Sequence, residues 1–298
     1  MNPKLINVLK RNAVGYLFLS PWLLGLIGLS ALPILASLYF SFTRYDMLTA
    51  PDWIGLDNYR EMLLNDQKWR NSLKVTLIYV LLGVPLQLVF ALSIALMLNR
   101  GIRGLRIYRA IYYVPSLFGG SVAVALLWRQ LFGGEGLVNL LLRQIGLPGH
   151  NWIASPDTAL YTLIVLKIWQ FGAPMVIFLA ALKQVPTELY EASRIDGAGR
   201  WKQFWRITLP LITPIVFFNV VMQTIQAFQA FTPAYIVSRG TGGPLDSTLF
   251  YTLYLYQKGF THFQMGYAAS MAWVLLIVIA FVTAMLFLSA RKWVYYQE

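Results

Sequence analysis

The sequence predicts an all-α integral membrane protein that crosses the bilayer six times, and three observations predict it. Hydrophobic residues make up 58% of the 298 and charged residues only 12%, where soluble domains are roughly a quarter charged. The apolar residues come in six blocks, each long enough for the ~30 Å hydrocarbon layer, which about 20 helical residues cross. The basic residues are unevenly shared between alternate connecting segments. The blocks lie at about 14–42, 73–98, 107–131, 158–182, 208–237 and 266–290, and they read as one transmembrane domain over 1–298.

Lys4, Lys10 and Arg11 precede the first apolar run, 14–42. A cleavable signal has an apolar region of roughly 7–15 residues, so this longer run reads as a retained first span. The outer loop at about 43–72 is the longest polar segment. Its Trp53-Ile54-Gly55-Leu56-Asp57-Asn58-Tyr59 suits a turn and a short helix with Asp57 as N-cap. Tyr45, Trp53 and Trp69 suit the interfacial aromatic belt. Residues 99–106 are short, glycine-broken and basic, which places them inside. Residues 136–146 read as a short interfacial helix. Residues 245–256 are apolar but too few to span, and a seventh crossing would put Arg291 and Lys292 outside; they read as an outer surface helix. Prolines 21, 33, 85, 115, 174, 210, 214 and 233 fall in or at the ends of nearly every span. Each kinks or breaks its helix, which neighbouring helices or a cavity must satisfy.

Net charge of +12 is a matter of topology. The segments 1–13, 99–106, 183–206 and the C-terminal end hold Lys4, Lys10, Arg11, Arg100, Arg103, Arg106, Lys183, Arg194, Arg200, Lys202, Arg206, Arg291 and Lys292, with Arg109 just past the second of them. Opposing them are only Glu188, Glu191, Asp196 and Glu298, whereas the other loops nearly balance. The positive-inside rule then puts both termini in the cytoplasm. The excess charge is no footprint for nucleic acid. With no cysteine, disulfides, thiolate catalysis and thiolate metal sites are excluded. His150 and His262 lie in separate outer loops, and no metal-ligand spacing exists.

The loop at about 183–206 is charged and punctuated by glycine. Pro186-Thr187-Glu188 starts a helix, with Thr187 able to cap it and Glu188 complementing its dipole. Gly197 stands where a left-handed C-terminal residue is wanted. A second, basic amphipathic segment follows, with Trp201, Phe204 and Trp205 suited to the interface and Lys202 and Arg206 to headgroups. Pro210 opens the next span. The plain reading is a connector resting on the membrane; the other is a docking element for a second protein.

The residue order favours docking. Glu191-Ala192-Ser193-Arg194-Ile195-Asp196-Gly197-Ala198, followed by Ile207-Thr208-Leu209-Pro210, resembles the EAA motif of permease subunits in binding-protein-dependent ABC importers. The motif's second Ala is Ser193 here, one small residue for another. Residues 53–59 and 109–115, Asn151-Trp152, Gly242-Gly243-Pro244 with Ser247-Thr248, and Met265-Gly266-Tyr267-Ala268 extend the resemblance over nearly the whole chain. Together they resemble the carbohydrate-uptake branch and its MalF-type first permease.

The resemblance implies a type I importer permease fold, termini inside, in a bacterial inner membrane. It implies a coupling helix at 188–196 seated in a cytoplasmic ATPase, with Glu188, Glu191, Ala192, Ser193, Asp196 and Gly197 carrying the contact. The implied partners are a second six-span permease, an ATPase dimer and an extracytoplasmic sugar-binding protein. This chain has no Gly-x-x-x-x-Gly-Lys-Ser/Thr phosphate loop, so ATP and magnesium would belong to the ATPase partners.

Polar residues inside spans are costly and usually line a cavity or a helix contact. Lys167, Trp169 and Gln170 fall in the fourth span, and Asn219, Gln223, Gln226 and Gln229 in the fifth. At ~100° per residue, Asn219, Gln223 and Gln226 share one face. Amides beside Trp169, Phe228 and Tyr235 suit a sugar, since amides bond hydroxyls and rings pack on C–H faces. Interhelical hydrogen bonding is the alternative. Lys167 has three readings: a carboxylate on the partner permease, an anionic substrate, or snorkelling. Two rival classes are an ion- or proton-coupled carrier and a membrane enzyme. Proton coupling usually needs an intramembrane carboxylate, and none is clearly placed; no nucleophile constellation supports an enzyme.

Overall fold

The computed structural model describes residues 13–99 and 104–295. Lys4, Lys10, Arg11, Arg100, Arg103 and Glu298 lie outside the described residues. The chain divides into two compact units: one comprises the chain up to residue 65 with residues 258–274, the other residues 66–257 with those from 275 onward.

The first unit opens with α1 (Ala13–Gly25), a π-helical turn (Leu26–Ala31) and α2 (Leu32–Ser41). Together Gly15–Ser41 are long and apolar enough to cross a membrane, and no residue of the most apolar window is buried in the protein. The wide turn has a local cause. A helical proline clashes with the carbonyl four residues back, and the turn closes by Leu32 N–H bonding Ile27 O just before Pro33. The extra residue per turn moves the offending carbonyl aside.

Beyond α2, β1 (Thr43–Arg44) pairs antiparallel with β2 (Asp52–Trp53), and α3 (Asp57–Leu64) follows. Asp57 is not the N-cap expected: Leu56 holds that position without a side-chain bond. Asn58 explains the register, because its Nδ2 donates to Ser41 O (3.0 Å) and Thr43 O (2.9 Å) and so draws the first turn onto the end of α2.

In the second unit α4 (Gln67–Leu98) is the central element, 32 residues long and capped by Asp66, which accepts from Trp69 N at 2.9 Å. Against it pack α8 (Pro156–Trp169), α9 (Gly172–Leu182), α12 (Leu209–Phe228) and α14 (Tyr251–Tyr256). The block expected at 107–131 is not one straight rod. It is α5 (Leu105–Phe118) and α6 (Val122–Leu131), bent by 97° at Gly119-Gly120-Ser121. Two glycines release the helix, and Ser121 Oγ recaps it by accepting from Val124 N at 3.3 Å. The block at 158–182 is α8 and α9, bent by 41°. The block at 208–237 stops at Phe228 and resumes as α13 (Thr232–Val237), which packs on α6. By length and composition four helices among the described residues can cross a membrane, or six if each bent pair is one span. The last of the four is α15 (Met265–Trp293).

Two expectations placed outside are corrected. Residues 245–256 do not form a surface helix: Leu249, Phe250, Tyr251, Leu253 and Tyr254 are all at most 3% exposed. Tyr251 N donates to Thr76 Oγ1 at 2.8 Å, fixing α14 against α4. A helix apolar on every side belongs inside, and its shortness argued only against a span. Trp69 is likewise no belt residue; it is buried, and its Nε1 donates to Tyr251 Oη at 3.1 Å.

The short helix expected at 136–146 is α7 (Leu137–Gln144), and Asn139 organises its surroundings. Only 1% exposed, its Nδ2 donates to the carbonyls of Gly133, Gly134 and His150, while its Oδ1 accepts from His150 N and Trp152 Nε1. Asn139→Ala should cost about 1–3 kcal/mol, the penalty for orphaned buried groups. Thermal unfolding of the purified protein checks this, and an unchanged midpoint would refute the hub role.

Candidate functional site

Two features in the second unit can carry function: a short exposed helix and a polar cavity. The helix, α10, spans Thr187–Ile195. Pro186 occupies its N-cap position and no side chain caps it, so Thr187 is inside the first turn rather than before it; Glu188 complements the dipole there. Its C-terminus is a Schellman motif. Ala198 N donates to Ser193 O at 2.8 Å and Gly197 N to Arg194 O at 3.0 Å, with Gly197 at φ +74°.

Glu188, Glu191, Ala192, Asp196 and Gly197 are exposed and Ser193 half-buried. Leu189 and Ile195 are exposed too, Ile195 at 88%. The opposite side of α10 is latched to the chain that follows. Gln203, itself buried, donates from Nε2 to Ser193 Oγ (2.9 Å) and Tyr190 O (3.3 Å). The Tyr190 and Thr208 hydroxyls share a hydrogen bond of 2.8 Å.

The segment receiving this latch is not a separate amphipathic helix. α11 (Arg200–Gln203) runs through a π-helical turn (Phe204–Thr208) into α12, so that Arg200–Phe228 is one apolar helix of 29 residues. Pro210 therefore does not open a span. Leu209 N bonds Phe204 O, the same wide turn before a proline that precedes Pro33. α10 is thus tied to the N-terminal end of a rod whose far end carries Gln223 and Gln226.

Those two amides line a cavity of about 240 Å³ with Lys167 and Gln170. Lys167 is 6% exposed; its Nζ donates to Gln223 Oε1 at 3.4 Å and lies 6.0 Å from the Tyr79 ring centre. Its aliphatic stem rests against Gly83, where an added Cβ would meet Lys167 Cδ at 3.0 Å. The Gln170 carbonyl, freed by the bend between α8 and α9, accepts from Gln87 Nε2 (3.0 Å) and Ser116 Oγ (2.9 Å). Its side-chain Nε2 donates to Gly119 O at 2.7 Å. Hydroxyl, amide, ammonium and aromatic groups converge there, with no carboxylate or histidine among the described residues of the lining. Such a set can bind and orient a polyhydroxylated molecule.

Other residues singled out from the sequence lie elsewhere. Asn219 is buried, but its Nδ2 bonds Ile215 O of its own helix at 3.1 Å. Trp169 packs against Trp128, with ring centres 6.1 Å apart, and Gln229 is exposed past the end of α12; none of the three lines the cavity. Sequence reading missed Tyr79, Gln87, Ser116, Gly119 and Gly120, which do. The legible signals were a lone amide two residues after Pro85 and a glycine pair after Pro115-Ser116.

The family described as "binding-protein-dependent transport system inner membrane component" matches the chain over residues 62–294. The chain belongs to that family. This permease is 53% identical to the probable ABC transporter permease protein YesP of Bacillus subtilis (strain 168), over 98% of its own length and 95% of that protein's. It is 32% identical to the lactose transport system permease protein LacF of Rhizobium radiobacter, covering 93% and 94%. With the arabinooligosaccharides transport system permease protein AraP of B. subtilis it shares 33% identity, covering 92% and 87%. Its fold matches a chain of a bacterial ABC transporter involved in the import of the acidic polysaccharide alginate, with a TM-score of 0.78 at 22% identity, covering 97% and 99%. The permease therefore has the type I ABC importer permease fold.

Proposed function

We propose that this permease forms half of the translocation path of an ATP-driven sugar importer, paired with a second six-span permease and served by an extracytoplasmic sugar-binding protein. The cavity of Lys167, Gln170, Gln223 and Gln226 is part of the sugar's route. The exposed face of α10, with Glu188, Glu191, Ala192, Ser193, Asp196 and Gly197, seats in a cleft of a separate ATPase dimer, which binds and hydrolyses ATP. Both termini face the cytoplasm of a bacterial cell, and the chain crosses the inner membrane six times as one permease domain.

One observation carries this reading. The latch from Gln203, Ser193, Tyr190 and Thr208 ties α10 to the rod that presents Gln223 and Gln226 to the cavity. A push on α10 is delivered along the helix to the substrate groups. The names of relatives such as the lactose and arabinooligosaccharide permeases support sugar as cargo. A proton-coupled carrier is less well supported, because no carboxylate among the described residues lines the cavity.

Gentle extraction of the permease from its native membrane tests the assembly. A second six-span permease and a phosphate-loop ATPase should co-purify. Recovery of the chain alone from intact, fully solubilised material would overturn the reading.

A further inference from the structure

We propose that the cavity among α4, α5, α8 and α12 selects an acidic sugar, a ring bearing one carboxylate, with that carboxylate on Lys167 Nζ and a hydroxyl donating to Gln87 Oε1. This rests on the sugar-import reading and narrows its substrate.

Among the described residues Lys167 is the only charged side chain in the cavity lining. An ammonium carries three donors, yet its one hydrogen bond among the described residues is the 3.4 Å contact to Gln223. No carboxylate among the described residues stands within ion-pair distance of it. Burying a charge without its counter-charge is heavily unfavourable, and a ligand that brings the counter-charge removes that deficit. A neutral sugar leaves the deficit in place.

Gln87 supplies a second, independent demand. It is 2% exposed, and its amide is oriented because Nε2 donates to the Gln170 carbonyl. Its Oε1 then faces away from that bond, buried and without a partner. An orphaned acceptor of this kind requires a donor, and a sugar hydroxyl is one. Gln87 and Lys167 both belong to the cavity lining, so a ligand whose hydroxyl reaches Gln87 Oε1 while its anion meets Lys167 would satisfy both needs.

Charge restricts the anion further. A phosphate monoester carries about −1.5 to −2 at neutral pH, more than one lysine balances, whereas a carboxylate carries one charge.

The test uses the assembled importer, with its partner permease, ATPase and binding protein, in proteoliposomes. Three probes are offered: a disaccharide containing a hexuronic acid, the same disaccharide with its carboxyl reduced to the alcohol, and a hexose phosphate. The acidic disaccharide should be taken up in preference to the other two. In Lys167→Met the acid-to-neutral uptake ratio should fall by about tenfold, the loss of one charge-assisted hydrogen bond. Lys167→Arg, which keeps the charge, should retain the preference, and recovery of the complex reports folding of both variants. Preference for the neutral sugar or the phosphate, or an unchanged ratio in Lys167→Met, would overturn the acidic-sugar proposal and leave the importer standing. Absence of ATP-dependent uptake for every sugar would remove the importer reading and this proposal with it.

Discussion

Gly197→Asp is expected to abolish most ATP-driven uptake while leaving the permease in the membrane in normal amount. Gly197 sits at φ +74°, and an added Cβ there would meet nothing within 4 Å, so the penalty is conformational and not steric crowding. An L-residue in the left-handed region costs roughly 1–2 kcal/mol, and aspartate, which adopts that region more readily than most, falls toward the lower end. A carboxylate at a helix C-terminus adds about 0.3–1 kcal/mol through the dipole. Both penalties fall on the closing turn of a nine-residue helix held by two hydrogen bonds, and α10 should unwind from that turn. The long helices do not depend on that turn. Gly197→Asn should be milder, because asparagine shares aspartate's tolerance of the left-handed region and adds no negative charge to the helix C-terminus. Uptake in proteoliposomes, normalised to inserted permease, reads both variants; equal uptake by Gly197→Asp and the parent protein would remove α10 from the mechanism.

Gly172→Val should cost the most in stability. A Cβ there would collide with Tyr112 O and lie 2.8 Å from Tyr113 Cα. Both are backbone atoms, so no rotamer change relieves the collision, and α9 must move off α5. Overpacking typically costs about 1–3 kcal/mol and sometimes more. The displacement would also break the bond from Ala173 N to Ser116 Oγ, 2.9 Å long, beside the bend that frees the Gln170 carbonyl. A marked drop in thermal midpoint and in purified yield is expected, with Gly172→Ala intermediate. Parent-like midpoints in both would mean that α5 and α9 do not approach as described.

The contrast between these glycines explains what the sequence could reveal. Gly197 was legible because its need is local: a glycine closing a short polar helix carries its reason in the adjoining residues. Gly172 was not, because its need comes from Tyr112, some sixty residues earlier. The same division runs through the fold. Apolar length located the helices, but the 97° bend at Gly119-Gly120 and the burial of α14 depend on what packs against them. In the cavity, helical periodicity brought Gln223 and Gln226 together and could not tell that Asn219 turns back to Ile215 O. Gln87 stayed hidden because its role depends on a carbonyl freed by the bend after Trp169.

Crosslinking tests most directly whether α10 is the docking element for a separate ATPase. The chain contains no cysteine, so Glu191→Cys gives one attachment point for a thiol-linked photo-crosslinker on an exposed face of α10. In the assembled importer, illumination should join the permease to the phosphate-loop ATPase, and a control probe at Glu135→Cys, outside α10, should not. Crosslinks from position 191 to lipid or to the second permease alone, in a complex that retains its ATPase, would contradict the docking role.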